Sequence, residues 1–432
     1  MQYLNIIYFL IITAYGYRFL QSDCKIVKGA LNSEQTYHYS GTELFWCLTF
    51  ATGLLAFSAN VGLDLMAIRL LVLEIFCIIG LTVAQRKAVL SFPLKIYIAY
   101  LIWIVIGIFY SEYPMYGFRT VLKYIYPLLL CMFASAAVSD AEVFMKSSLW
   151  ARKIGVIGLI FGFVPFINWV FPGVFWYGTA RAINFISIMI FSLGMFFFTN
   201  KKRENILYTI LFLLPCIIWV LRTSIMGSLV AIMAFFLIKL KIKALPIIAG
   251  VTVLGVVAVF TIPALKEKMF YDDSVTIEDF KEGKVDENNI NTNYRSFMWE
   301  KLQKKFYNDN KVIGSGTGTV QGYMYGHREE FGMLMVPHSD FVQQKCDNGL
   351  IGLVLYGTMV FFIFVDCFRT YWNRESSGAL KLCAIVAGAS LIGVYATFYS
   401  DNVVNYSMAT LSMPFGFYGM MLGMRRAERG ED

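Results

Sequence analysis

The chain predicts an all-α fold, a polytopic transmembrane helical bundle, on three observations. Of its 432 residues, 58% are hydrophobic and only 15% are charged, where a soluble protein carries about 25% charged residues. The mean hydropathy is +0.60, which leaves too little polar surface to cover a water-soluble globule. The apolar residues gather into continuous runs of about 20, long enough to cross a bilayer core as helices. A transmembrane β-barrel would instead show short alternating segments.

The runs fall near 3–20, 43–60, 64–84, 92–110, 119–138, 152–171, 182–199, 205–221, 223–241, 245–265, 349–368, 379–400 and 407–425. They predict about 12–13 spans. The first run contains Tyr, Gly and Arg18 and has no small-residue cleavage site. It reads as a span, an interfacial helix or an uncleaved anchor. Three regions follow: N-terminal transmembrane helices over 1–265, one large external loop over 266–347, and C-terminal transmembrane helices over 348–432.

Basic loops give the orientation. Gln85-Arg86-Lys87, Arg152-Lys153, Lys201-Lys202-Arg203, Lys239 to Lys243, Arg369 with Arg374, and Arg425-Arg426 alternate with loops poor in Lys and Arg. Placing the basic set in the cytoplasm sends 111–118, 172–181, 266–347 and 401–406 to the outer side, which is periplasmic in a cell with two membranes. The net charge of +8 is accounted for by these loops rather than by nucleic-acid binding, and no nucleic-acid partner is expected.

Six of the eight cysteines, Cys47, Cys77, Cys131, Cys216, Cys367 and Cys383, lie in apolar runs, and only Cys24 and Cys346 lie in polar stretches. There is no CxxC pair, and three histidines are too few for a convincing zinc site. No disulfide framework, metal or other cofactor is expected.

The loop 266–347 is long for a connector, so it is expected to carry function. Asp272 to Asn293 is acidic and Asn-rich and reads as exposed. Arg295 onward reads as an amphipathic helix, with Met298, Leu302 and Phe306 at helical spacing. Gly314-Ser315-Gly316-Thr317-Gly318 reads as a flexible turn. A phosphate-binding glycine loop would need a preceding strand, and none is readable there. His338-Ser339 then precedes nine residues and Gly349-Leu350-Ile351-Gly352. This places a titratable imidazole where water meets lipid, beside a Gly-permitted helix start, a position suited to proton transfer.

Several cations break the inside-positive pattern. Arg222 interrupts an apolar pair at an outer turn, Arg181 precedes a span with Asn184 one turn later, Arg119 and Lys123 share the outer end of their span, and Arg295 lies in the external loop. Burying a guanidinium costs several kcal/mol unless it is paired. A bound anion accounts for the set, and Arg suits bidentate phosphate contact. Arg119 and Lys123 also fit snorkelling to headgroups, and Arg181 fits an ion pair with Asp401. His327 sits in a solvated cluster, His38 is assigned nothing, and Arg69 with Glu74 reads as a contact between helices.

Over roughly 175–370 the chain resembles the O-antigen ligase and O-antigen polymerase superfamily of bacterial envelope glycosyltransferases. His338, Ser339, Gly349 and Gly352 fit the ligase motif without a gap. Arg222 with Thr223 and Gly227 matches the family's outer-turn arginine, and Arg295 with Trp299 its loop-helix arginine. Gly314, Gly316 and Gly318 match its glycine turn, and Arg181 and Asn184 its basic, Asn-containing turn. Arg222 follows Leu221 rather than the family's usual Ser, and Asn310 to Ile313 replaces a Pro-rich lead into the turn.

The resemblance implies a GT-C-like membrane enzyme at the bacterial inner membrane. It implies a glycan donor on polyprenyl (undecaprenyl) diphosphate and a glycan or lipid A-core acceptor, with the active site on the periplasmic side. On this reading His338 is the catalytic base, and Arg222, Arg295 and Arg181 bind the diphosphate. Arg119, Lys123, Asn184 and Ser339 are weaker candidates. The reaction would be an inverting, metal-independent displacement. A polymerase joining repeat units on the carrier shares this chemistry. A transporter for the same lipid would carry internal repeats and a midplane site, and neither is readable.

Overall fold

In the computed structural model, the described residues are 24–28, 33–37, 41–52, 65–163, 179–218, 220–271 and 295–431 except 333, with isolated positions between 272 and 294. The run 3–20, His38, most of the acidic stretch 272–293 and the Arg181 side chain lie outside them.

The fold is that of an all-α polytopic membrane protein. A short antiparallel ribbon, β1 (Cys24–Lys28) and β2 (Ser33–Tyr37), pairs Cys24 with Tyr37. The first half then comprises α1 (Gly41–Thr52), α2 (Leu65–Val83), α3 (Phe92–Ile108), α4 (Pro114–Ala137), α5 (Ala141–Phe163), α6 (Thr179–Phe198) and α7 (Lys202–Ile218). The hairpin α8 (Arg222–Leu240) and α9 (Leu245–Thr261) leads through α10 (Pro263–Met269) to the external helices α11 (Arg295–Phe306) and α12 (Thr319–Gly326). The chain closes with α13 (Asp340–Trp372), α14 (Gly378–Thr397), α15 (Ser407–Thr410) and α16 (Ser412–Glu428).

Among the described residues, four segments are long and apolar enough to cross a membrane: Pro114–Ala137, Arg222–Thr261, Asp340–Trp372 and Gly378–Thr397. The sequence suggests more crossings, and one reason is visible in Arg222–Thr261. Lys241 adopts φ 54° at its middle, Gly255 of α9 faces Leu229 of α8, and Arg222 bonds the carbonyl of Lys268 beyond α9. The segment folds back on itself and therefore contains two antiparallel helices. Phe92–Ile108 and Ala182–Phe198 are apolar but shorter.

At the centre stands α14, with side chains buried along almost its whole length. It packs against α8, α13, α16 and α6. Small residues make this possible: a Cβ on Gly393 would lie 2.5 Å from the Ala231 Cβ, and one on Gly227 would lie 2.4 Å from Thr397. Close backbone approach of this kind drives helix association where lipid removes the hydrophobic gain. The periphery is apolar and outward-facing. α9 has no buried side chain, and α2 exposes Ile75, Ile78 and Val83, as lipid contact requires.

The two ends of the bundle differ chemically. At one end Trp372 donates to the Ile238 carbonyl at 2.7 Å, Ser377 bonds Glu428, Arg426 reaches the Lys87 carbonyl, and Arg425 grips Asp366 at 2.6 and 3.2 Å. This end carries the basic loops. The opposite end carries α11, α12, His338 and the loop after α14.

Candidate active site

The site is organised by one short loop, 398–405, between α14 and α15. The α8–α14 packing at Gly227 brings the start of α8 to this loop, where the hydroxyls of Thr223 and Ser400 lie 3.0 Å apart. Arg222, immediately before Thr223, donates to the carbonyls of Lys268 and Asn291, the latter at 2.7 Å. From the external loop, Arg295 donates to the Ser400 carbonyl at 2.6 Å. Arg222 and Arg295 are near enough to repel each other. Burial holds the Arg295 guanidinium below its ordinary pKa, while Asp401 acts in the opposite direction.

One turn along α11, Trp299 places its ring against Tyr399, 5.7 Å between centroids, and donates from Nε1 to the Pro337 carbonyl at 2.6 Å. This fixes the chain ahead of His338. The helix is amphipathic as its spacing predicts, with Met298, Leu302 and Phe306 buried. His338 has φ 50°, a left-handed turn that non-glycine residues seldom adopt and that clusters at functional sites. Its Nδ1 faces the Asp401 carboxylate at 3.6 Å, with the imidazole 29% and the carboxylate 15% exposed. That separation is an electrostatic contact rather than a formed hydrogen bond.

Ser339 caps α13 by accepting from the Val342 N–H at 3.2 Å. The helix therefore begins at Asp340, well before the span expected from residue 349. Gly349 is a break inside it, at φ 64°, ψ −165°. The break frees the N–H groups of Leu350 and Ile351, which bond the carbonyls of Lys311 and Val312 at 2.9 and 3.2 Å. A Cβ at Gly349 would lie 2.3 Å from the Val312 oxygen, so the motif glycine is the point where the external loop docks on the bundle.

The glycine turn 314–318 is pinned rather than flexible. Gly314, Gly316 and Gly318 all have positive φ. Thr317 is fully buried and bonds the Ile104 carbonyl and Asn348, both at 2.7 Å. Asp347 accepts from the N–H groups of Gly318 and Val320 at 3.1 and 2.8 Å. These contacts make the second half of the loop part of the rigid scaffold.

Beneath the loop lies a polar seam. Asp340, 3% exposed, accepts from the Val404 N–H at 3.0 Å and from Asn402 at 3.4 Å. Its own N–H donates to Phe398 and Asp401 carbonyls at 2.9 and 3.1 Å. Lys123 donates to Asn405 at 2.7 Å. The adjoining cavity, lined by Thr120, Lys123, Asp340, Gln343, Asp347 and Asn405, is about 10 Å³. That admits a water and no sugar.

The structure thus gathers His338, Ser339, Arg295 and Arg222 about one loop, with Lys123 at its far end. Arg119 lies over the Tyr116 ring at 5.7 Å. Asn184 is buried in the first turns of α6. Asp401 faces His338 and Arg295. Sequence reasoning named Asp401 only as a partner for Arg181 and did not select Asp340, Asn402 or Asp347. One signal was present: Asp401-Asn402 is a polar pair in a short turn between two apolar runs.

A family model described as O-antigen ligase matches residues 207–357. The matched stretch carries Arg222, Arg295, the glycine turn and the whole His338 to Gly352 motif. It supports the O-antigen ligase and polymerase superfamily for this chain and implies a membrane glycosyltransferase-type activity. No curated protein matches the chain.

Proposed function

We propose that the protein transfers a glycan from a polyprenyl (undecaprenyl) diphosphate carrier to an acceptor sugar hydroxyl at the periplasmic face of the bacterial inner membrane, in the manner of an O-antigen ligase. The observation that carries this reading is the convergence of His338, Arg295 and the Arg222-Thr223 turn on Ser400-Asp401.

His338 turns Nδ1 toward Asp401, which leaves Nε2 for the acceptor hydroxyl. As the acceptor oxygen attacks the anomeric carbon, its proton passes to His338, and Asp401 stabilises the imidazolium that forms. The bond from the anomeric carbon to the diphosphate oxygen breaks on the opposite side, so the product is inverted. The departing diphosphate gains charge, which Arg222, Arg295 and Arg181 neutralise. The described bonds of Arg222 and Arg295 come from Nη1 alone, and each guanidinium has five N–H donors. Such preorganised donors lower a barrier by about 3 kcal/mol each in a site that excludes water. Three regions divide the labour: helices 1–265 hold the donor arginines Arg181 and Arg222, the loop 266–347 brings His338 and Arg295, and 348–432 supplies the organising turn. The same geometry serves a polymerase that joins repeat units on the carrier.

The test is transfer by the purified protein in a bilayer, given carrier-linked glycan and acceptor without an ion gradient. His338→Ala should abolish linkage formation while donor binding and thermal stability stay at the wild-type level. Full activity in that variant removes the base. Deleting the gene separates the two acceptor choices: ligase loss leaves long carrier-linked polymer, whereas polymerase loss leaves single units on the acceptor.

A further inference from the structure

A second feature of the outer end lies away from His338. The start of α4 and the helix α12 are locked together: Ser111 and Thr319 hydroxyls lie 2.9 Å apart, and a Cβ at Gly322 would fall 2.3 Å from the Tyr113 ring. The lock brings the rings of Tyr116 and Tyr325 to 5.8 Å, tilted by 46°. Arg119 lies over Tyr116 at 5.7 Å, and Arg328 lies over Tyr325 at 3.9 Å. Arg328 is held there by a bond from Nε to the Tyr325 carbonyl at 3.3 Å. Of the two carboxylates that follow Arg328, Glu329 and Glu330, Glu330 is taken by Lys301 at 2.7 Å. Two guanidinium groups thereby sit within cation–π range of tyrosines at the surface, where Tyr325 is 47% exposed.

We infer that this cation-capped tyrosine face, Tyr116, Arg119, Tyr325 and Arg328, binds a saccharide that carries a carboxylate or a phosphate, and that this saccharide belongs to the acceptor. A guanidinium fork suits the paired oxygens of such a group, while tyrosine edges and hydroxyls suit sugar C–H and O–H groups. The assignment to the acceptor rests on the transfer reading above and on position. The loop 398–405 has two ends. Ser400 meets Arg295 and the Arg222-Thr223 turn, the side given to the donor diphosphate. Asn405 meets Lys123, one helical turn from Arg119 on α4. A glycan lying along the outer end of α4 therefore approaches the loop from the side opposite the donor cations. Met115 and Phe118, 66% and 53% exposed, extend the same turn of α4 with apolar surface, as suits an acceptor that is itself anchored in the bilayer.

The test uses the full-length protein and Arg119→Gln with Arg328→Gln, singly and combined, with thermal stability as the control for folding. Binding is measured first, with an oligogalacturonate, a phosphorylated glucosamine disaccharide, and a carboxyl-reduced oligosaccharide as neutral control. We expect wild-type protein to bind the two anionic probes at least tenfold more tightly than the neutral one, and the double variant to lose that preference. Equal binding by wild type and variant overturns the proposal. Transfer is measured next. The KM for an acidic acceptor should rise about tenfold in the double variant, with kcat and the donor KM unchanged. A rise in donor KM instead, or the same loss with a neutral acceptor, also overturns it. A third arm compares neutral with anionic vesicles. Sensitivity to vesicle charge without sensitivity to probe charge makes the face a headgroup anchor and refutes the acceptor role. If wild type binds the anionic probes but no donor is transferred, the glycosyltransferase reading fails while the saccharide face stands.

Discussion

Replacing Asp401 by Asn removes one negative charge and preserves shape. The Asn402 N–H, which donates to Asp401 Oδ1 at 2.8 Å, keeps an amide oxygen as acceptor. The change therefore removes the charge that faces His338 and Arg295 while keeping this backbone contact. At 3.6 Å, a carboxylate and an imidazolium attract by about 5 kcal/mol at an effective dielectric of ~20 and by about 1 kcal/mol at ~80. With the two groups 29% and 15% exposed, the pair lies between these limits, at roughly 2–3 kcal/mol. Since the imidazolium forms only as the acceptor proton moves, the loss should fall on kcat, by about 30- to 150-fold. Donor affinity should change little. The assay is single-turnover transfer with purified protein, alone and in the His338→Ala background. In that background Asp401→Asn should cost much less, because the imidazole is gone and only its contact with Arg295 remains. Wild-type turnover in the single variant, or additive losses in the double variant, would refute the reasoning.

Arg222→Ala should weaken donor binding or turnover by more than tenfold, and Arg222→Lys should not restore it fully, since an ammonium has neither the fork nor the reach of a guanidinium; steady-state kinetics against donor concentration check this. Gly349→Ala sets a Cβ 2.3 Å from the Val312 oxygen at φ 64°. It should destabilise the protein by about 2–4 kcal/mol, from the left-handed backbone and the overpacking together, read as a lowered Tm and loss of transfer. Asp340→Ala withdraws the acceptor of the Val404 N–H and leaves buried donors unmet, each worth about 1–3 kcal/mol. The expected outcome is a lower Tm and a fall in kcat larger than in donor affinity, with Asp340→Asn recovering part of both.

Much of this architecture was legible in the order of residues. Hydropathy and run length suffice to call the chain an all-α membrane protein, because no other fold satisfies backbone hydrogen bonds in hydrocarbon except a closed barrel. The amphipathic spacing of Met298, Leu302 and Phe306 located α11. Other features were not legible. The glycine turn looked flexible because glycine is permissive in isolation; Thr317, Asp347 and the Lys311–Gly314 backbone pin it through partners distant in sequence. The start of α13 was placed late because polar residues 340–348 are buried against other polar groups, and a hydropathy window cannot distinguish that from a loop.

Position against the inside-positive pattern singled out Arg222, Arg295, Arg181, Arg119 and Lys123, and for Arg222 the apolar surroundings that make desolvating a guanidinium costly are visible in the sequence itself. Which groups meet is a different kind of fact. Asp401 stands 63 residues beyond His338, and the two are neighbours only because α13 and α14 run antiparallel and Asp340, at the start of α13, holds the loop that follows α14. Periodicity and burial are local properties and survive in one dimension; the pairing of an imidazole with a carboxylate depends on helix crossings, set by which small residues let two backbones approach, and is decided only when the bundle closes.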